Sequence, residues 1–443
     1  MNTKRLRTGL LLLVSFVLLL VLIFNIQLRQ ASSQSIYVPY PQTRFAVISD
    51  LHLFDTSLGT HGNAFQDYLN RDRKLLAESR ELVETALDEI ADLDAGFVLI
   101  SGDLTKDGER MNHEIVAKRL AELERSGKQV YVVPGNHDID NSDAVRFIGD
   151  RTEPVSSVTA SEFAEIYQSF GFGEALERDS ASLSYLVEPV PGLWLLALDS
   201  CKWQQHKPGE HPAVGGVISP QTRQWMEGIL KSAQASDKRV IVTLHHGIME
   251  HYPGNEDNYP EYLLDNHEEI FELLAVYHVQ LVFSGHFHAQ DITGKRSESN
   301  GATVFDIETG SLVTPPCPYR VIELTQDQQA LIKSRFITSI PSHPDDFVTF
   351  SHNYLIEGTK QLADDKLIKY RVKKTDRELI NPQIADAFAT HLKGDEIKPG
   401  QISSPESLGL WGRFIFFMRK DLVEGWYTDL PPEDNQLTIN LAP

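Results

Sequence analysis

The 443-residue chain carries 41 Lys and Arg against 62 Asp and Glu, a formal charge of −21, and 41% of it is hydrophobic. That apolar supply excludes disorder as the organising state and, at roughly 150 residues per domain, suggests two or three domains. An acidic body with no basic run excludes general binding to nucleic acid or to anionic membrane surfaces, because phosphate backbones are met by Lys and Arg.

Lys4, Arg5 and Arg7 precede an apolar run over residues 9–26, about 27 Å of helix at 1.5 Å per residue. Such a run nearly spans a bilayer core, and the cations ahead of it predict an N-terminus held inside and a body held outside. A cleaved secretory signal is the competing reading, with small residues at Ala31 and Ser32. Signal cores usually run only about 7 to 15 residues, so a single-pass membrane anchor over residues 1–30 is favoured, followed by a linker over 31–43.

Short apolar or β-branched runs at 44–49, 96–101, 129–133, 193–198, 239–244 and 279–284 predict buried strands. Helical patterns fall between them at 67–91, 108–126, 161–170, 220–235 and 262–277. The alternation implies an α/β fold built in layers. From residue 302 the texture turns hairpin-like, with strands at 320–324 and 330–336 around a turn. A boundary is expected near 340–344, where Pro341 and Pro344 stand, closing a catalytic body over 44–340. Helical patterns at 346–362, 381–392 and 408–427 make 341–443 a C-terminal helical region. Its apolar cluster of Trp411, Phe414, Ile415, Phe417, Met418, Val423 and Trp426 is read as packing on the body, since no Lys/Arg-rich face accompanies it. Cys201 and Cys317 are too few for a disulfide framework, and two buried free thiols are favoured over one bridge.

The chemistry-bearing residues stand where strands end. Asp50 and His52 follow the first strand, and residues two apart in extended chain project to one side. Gly102-Asp103 follows the second, Gly135-Asn136-His137-Asp138 the third, His245-His246 the fifth, and Gly285-His286-Phe287-His288 the sixth. Each cluster alone reads equally as a turn, a cap or a core imidazole. Together they bring oxygen and imidazole donors to one rim, the side of such a sheet where ligands bind.

The order D-x-H, G-D, G-N-H-D, H and G-H-x-H resembles the calcineurin-like metallophosphoesterase family over residues 45–336. Within that family Gly102-Asp103-Leu104-Thr105-Lys106-Asp107-Gly108 is similar to the small-molecule phosphodiesterase branch, which includes class III cyclic nucleotide phosphodiesterases. It departs from the G-D-x-V-D-R-G of protein serine/threonine phosphatases. Gly247 also stands where the family usually has Pro.

The resemblance implies a layered β-sandwich flanked by helices and a site for two divalent metal ions, Mn or Fe foremost, with Zn or Mg as alternatives. Asp50, His52, Asp103 and His288 would hold one ion, and Asp103, Asn136, His245 and His286 the other. A hydroxide generated between them would attack phosphorus in line. His137 would stabilise a phosphoryl oxygen or protonate the leaving group, with Asp138 either orienting it or serving as a turn cap. The implied substrate is a small phosphodiester such as a cyclic nucleotide. The alternatives are a nucleotidase or other phosphomonoesterase and a non-catalytic anchored phosphate sensor. His113 is a further candidate near the substrate, with a packing role as its alternative. The loop 251–262 reads as a lid from which Tyr252 and Tyr259 would stack on a base, again with packing as the alternative. The insert 199–219, with Trp203, His206 and His211, is read in the same two ways.

Overall fold

A computed structural model describes residues 38–398 and 407–442. The proposed anchor over 1–30 lies outside the described residues, among which no helix is long and apolar enough to cross a membrane.

β1 (Thr43–Ile48), β2 (Phe97–Ile100) and β3 (Gln129–Val132) pair in parallel. β4 (Val145–Ile148) and β5 (Arg151–Pro154) form a separate hairpin. The second sheet comprises β6 (Glu177–Arg178), β7 (Tyr185–Val190), β8 (Leu193–Ala197), β9 (Arg239–Thr243), β10 (Leu281–Ser284), β11 (Asp291–Arg296) and β12 (Thr303–Glu308), ordered β11-β12-β10-β9-β8-β7-β6. β13 (Pro318–Leu324), β14 (Gln329–Phe336) and β15 (Gln436–Asn440) return to the first sheet, ordered β15-β14-β13-β1-β2-β3.

The inner faces of the two sheets share one core. Phe45 on β1 stacks on Phe97 of β2 at 4.5 Å and meets Phe283 of β10 edge-on at 5.4 Å. The period-two alternation of strands sorts the second sheet: Leu195, Ile241 and Phe283 enter this core, while Leu196, Val242 and Val282 face an outer layer of helices. The longer helices are α1 (Asn63–Leu69), α2 (Ser79–Ala91), α3 (Arg110–Arg125), α4 (Ala160–Ile166), α5 (Pro220–Ala235), α6 (His267–Val276), α7 (Phe347–Lys369), α8 (Lys374–Lys393) and α9 (Leu410–Gly425). Local signals set their starts: Thr159 and Glu162 form a capping box before α4, and Ser219 caps α5 ahead of Pro220. The result is the expected α/β sandwich flanked by helices, with a C-terminal helical region.

Three expectations change in detail. The helix expected over 67–91 is two helices, because Asp72 accepts hydrogen bonds from the Arg73 and Lys74 amides and Leu75 N–H donates to Val313, drawing 70–78 out of helical geometry. The helix expected from 262 starts at His267, since Leu263 and Leu264 bridge to Gly247 and Gly216 as extended chain. The C-terminal region ends in β15, an edge strand that completes the first sheet, and Tyr40–Ala442 is one compact unit. α9 packs Ile415, Phe416 and Val423, with Trp426 just beyond it, into a cluster with Tyr252 and Phe287, and leaves Trp411, Phe414, Phe417 and Met418 exposed. Cys201 and Cys317 are buried free thiols.

Candidate metal centre

The loops leaving β1, β2, β3, β9 and β10 meet at one rim. The first two run side by side, with Asp50 N–H donating to Gly102 at 3.1 Å and His52 N–H to Asp103 at 2.9 Å. Asp50, His52, Asp103, His286 and His288 all have positive φ, at 52°, 35°, 48°, 79° and 73°. L-residues there cost about 1 to 3 kcal/mol each and persist only where the surroundings over-determine them, which is common at functional sites. Gly135 is required for a second reason, since a Cβ would fall on the Asp103 carboxylate.

The donors cluster tightly. Asp50 Oδ1 and His52 Nε2 each lie 3.2 Å from His288 Nε2, and His52 Nε2 is 3.6 Å from Asp103 Oδ2. On the other side His245 Nε2 is 3.4 Å from Asp103 Oδ2 and 3.1 Å from Asn136 Oδ1. Asp103, His245 and His286 offer donor atoms all within 4.8 Å of one another, as do Asp50, His52 and His288. All seven residues expected to hold metal therefore meet, with Asp103 between the two groups.

This set fits cations better than it fits itself. Asp50 Oδ1 is buried with no well-formed hydrogen bond, its polar contacts being His288 Nε2 at 3.2 Å and His52 Nε2 at 3.7 Å, a costly state for a carboxylate oxygen unless a cation meets it. The outward nitrogens are fixed from behind: His245 Nδ1 sits 2.8 Å from the Ser101 carbonyl and His288 Nδ1 3.1 Å from Thr314 Oγ1. Burial pulls His245 down, but the Asp103 carboxylate lifts it to about 9. Burial likewise pushes Asp50 up, yet His288 and His52 hold it well below the usual carboxylate range.

His137 is placed differently from the seven. Its ring meets that of His52 edge-on at 4.9 Å, it is about a quarter exposed, and its Nδ1 lies 2.7 Å from Asp107 Oδ1. Its backbone N–H donates to Asp103 Oδ1 at 2.9 Å. Asp107 in turn pairs with Lys106, whose buried ammonium lies 4.7 Å from the Tyr68 ring centre and also meets Glu109. Asp138 does not orient His137, as one of its two sequence readings has it. Its carboxylate accepts from the Gly135, Leu104 and Thr105 amides at 2.9 to 3.1 Å and binds the β2 and β3 loops together. Burial and the charge of Asp103 push it up to about 7.

The substrate candidates separate from the site. His113 is fully buried between the Asp138 carbonyl at 2.9 Å and the Tyr167 hydroxyl at 2.8 Å, so it braces the β3 loop. Tyr252 is fully buried, 5.6 Å from the Phe287 ring and 5.0 Å from His391, and cannot stack on a base. Tyr259 is half-buried, stacked at 6.3 Å on Trp426. The aromatic beside the ligands is Tyr262, 4.7 Å from the His286 ring. His246 is held by Ser200 Oγ at 2.8 Å and the Val214 carbonyl at 2.9 Å, which gives the 199–219 insert a bracing role. Gly247 bridges to Leu263, so the loop without the family's Pro is fastened as extended chain. Lys74, buried and 3.1 Å from Asp72, lies near enough for its charge to act on both histidines: burial and then Lys74 hold His52 down at about 3, whereas the Asp103 and Asp107 carboxylates raise His137 against burial and Lys74. Sequence reasoning missed Asp107 and Lys74; Asp107 lay within the quoted Gly102–Gly108 motif, whereas no local signal marked Lys74.

The family model described as calcineurin-like phosphoesterase matches residues 43–290, over half of the chain, and the chain belongs to that family. No curated protein matches it in sequence. Similar solved structures include a dimetal phosphatase from Danio rerio, at 17% identity and TM-score 0.48, covering 67% of this chain and 97% of that one. Purple acid phosphatase PPD1 from yellow lupin seeds is 14% identical at TM-score 0.40, covering 68% and 53%. The NAD nucleotidase of Haemophilus influenzae is 13% identical at TM-score 0.34, covering 75% and 61%. The chain is a metal-dependent phosphoester hydrolase of a family that works through dinuclear centres.

Proposed function

We propose that this hydrolase cleaves small phosphodiesters, cyclic nucleotides foremost, with Asp50, His52, Asp103 and His288 holding one divalent ion and Asp103, Asn136, His245 and His286 the other. When bound, such ions offset charge on phosphoryl oxygens and supply a nucleophilic water near neutral pH, and mixed N/O donors suit Mn, Fe or Zn. The observation that carries the reading is the His137–Asp107 pair. With Nδ1–H donated to Asp107, His137 keeps Nε2 for the substrate, where it holds a proton for a departing alkoxide. An alkoxide is the leaving group that needs such a proton most. The Gly102–Gly108 motif, similar to the phosphodiesterase branch, and the acidic charge of −21 support a small substrate over a phosphoprotein or a nucleic acid.

Turnover of bis(p-nitrophenyl) phosphate against p-nitrophenyl phosphate, with added Mn²⁺, tests the reading. Faster hydrolysis of the diester, extending to a cyclic nucleotide, is expected. A preference for the monoester makes the chain a phosphomonoesterase, and metal binding without turnover of either makes it a sensor.

The cationic cluster and the apolar run over 9–26 support a location on the outer face of the cell membrane. Intact cells should hydrolyse added diester, and external protease should abolish the activity. Activity released into the medium points to a cleaved signal, and activity reached only on lysis rejects export.

A further inference from the structure

A second knot of ionisable groups lies behind the metal centre, where α8 meets the start of β11. Asp291, Asp306, Glu308, Glu396 and Asp434 are all buried there, with Arg320, His251 and His391 as the basic groups among them. Arg320 does not neutralise the carboxylates directly. Its guanidinium donates to the backbone carbonyls of Glu308, Asp291 and Asp434 and to Ser334 Oγ, at 2.5 to 3.2 Å. His251 serves Asp291, with Nδ1 2.7 Å from Oδ1, and its Nε2 lies 3.4 Å from Asp306 and 3.5 Å from Glu308. Carboxylates outnumber basic groups in this buried region.

Within this knot Asp291, His391 and Glu396 each offer a donor atom within 4.8 Å of the other two. His391 Nδ1 is bonded to Glu396 Oε1 at 2.6 Å. Asp291 Oδ2, His391 Nε2 and Glu396 Oε2 are buried with no hydrogen-bond partner. Three such buried atoms on three neighbouring residues are an expensive arrangement for a protein interior, at about 1 to 3 kcal/mol for each unsatisfied group and more for a charged one.

We propose that Asp291, His391 and Glu396 bind a further divalent transition-metal ion, separate from the catalytic pair, that fastens the C-terminal helical region to the sheet edge following His286 and His288. Two carboxylates and an imidazole suit Zn²⁺ or Mn²⁺ rather than Ca²⁺, which takes oxygen donors. The site is structural: Gln290 N–H donates to the Leu392 carbonyl at 3.2 Å, so the same contact ties the ligand-bearing loop to the end of α8.

The test is metal stoichiometry by inductively coupled plasma mass spectrometry on the full chain, loaded with Zn²⁺ or Mn²⁺ and freed of excess. Wild-type protein is expected to hold three equivalents, and His391→Gln and Glu396→Gln two, with diester turnover within about twofold of wild type. Asp103→Asn separates the sites, because adding His391→Gln to it should remove one further equivalent. Should His391→Gln fail to fold, the near-isosteric Glu396→Gln carries the test, read also as loss of part of the metal-dependent rise in Tm. Equal metal content in wild type, His391→Gln and Glu396→Gln overturns the proposal and leaves protons as the balancing charge. Loss of turnover in Asp103→Asn alone bears only on the catalytic pair.

Discussion

His137 Nδ1 lies 2.7 Å from Asp107 Oδ1, a carboxylate 30 positions earlier, while the neighbouring Asp138 turns away to the Gly135, Leu104 and Thr105 amides. The β2 loop therefore supplies both the proposed shared metal donor, Asp103, and the carboxylate that sets the imidazole's tautomer. A His whose Nδ1–H is fixed presents Nε2 to the substrate in one orientation.

Asp107→Asn should lower kcat by about 10- to 100-fold, within the range for general acid–base groups, and leave metal content unchanged. The loss should be larger for alkyl than for p-nitrophenyl leaving groups, since p-nitrophenolate departs without a proton. Equal losses for both would show that the pair positions phosphate instead. Asp138→Asn differs in kind: it keeps the His137 tautomer but disturbs an acceptor of several backbone bonds, so the expected change is a lower Tm, from about 1 to 3 kcal/mol of lost stability.

The sandwich was legible because its strands are runs of Val, Ile, Leu and Phe buried on both faces, and burial leaves a periodic or continuous apolar signature. The donors were legible because each follows such a strand. His137's partner was not, since adjacency in sequence favoured Asp138 and the pairing depends on how two loops meet. β15 was missed for a related reason. The alternating Gln436–Asn440 segment is short, and its strand character comes from β14 beside it. Tyr252 and Tyr259 stand in an aromatic, Pro-containing loop that resembles a lid, but the C-terminal helices cover it, and composition alone does not reveal a cover supplied from more than 100 residues away.

Asp103→Asn should remove the shared negative charge that lets two cations sit together, about 3.5 to 4 Å apart in such centres. Metal analysis is expected to show loss of one or both catalytic ions, and turnover should fall by several orders of magnitude. Retention of both ions with full turnover would reject Asp103 as the shared donor.

Tyr252→Ala should act on stability and not on substrate. The ring is fully buried against Phe287 and His391, and emptying an aromatic site in a core costs about 3 to 5 kcal/mol. Denaturant unfolding should show that loss, while Tyr252→Phe, which keeps the ring in place, should leave KM unchanged. A raised KM for nucleotide in Tyr252→Phe would return the residue to the binding site.

Lys74 is a buried cation whose charge reaches both His52 and His137, on the side of the centre where His137 is partly exposed. A phosphodiester approaching that side carries a negative charge, and the buried ammonium attracts it more strongly than an exposed one would. Lys74→Met keeps the packed aliphatic stem and removes the charge, so KM should rise by about tenfold while metal content stays constant. Lys74→Arg should recover most of the loss, which a purely structural role of the stem would not predict. Unchanged KM in Lys74→Met would show that Asp72, 3.1 Å away, already neutralises the ammonium and that the catalytic ions alone draw the anion in.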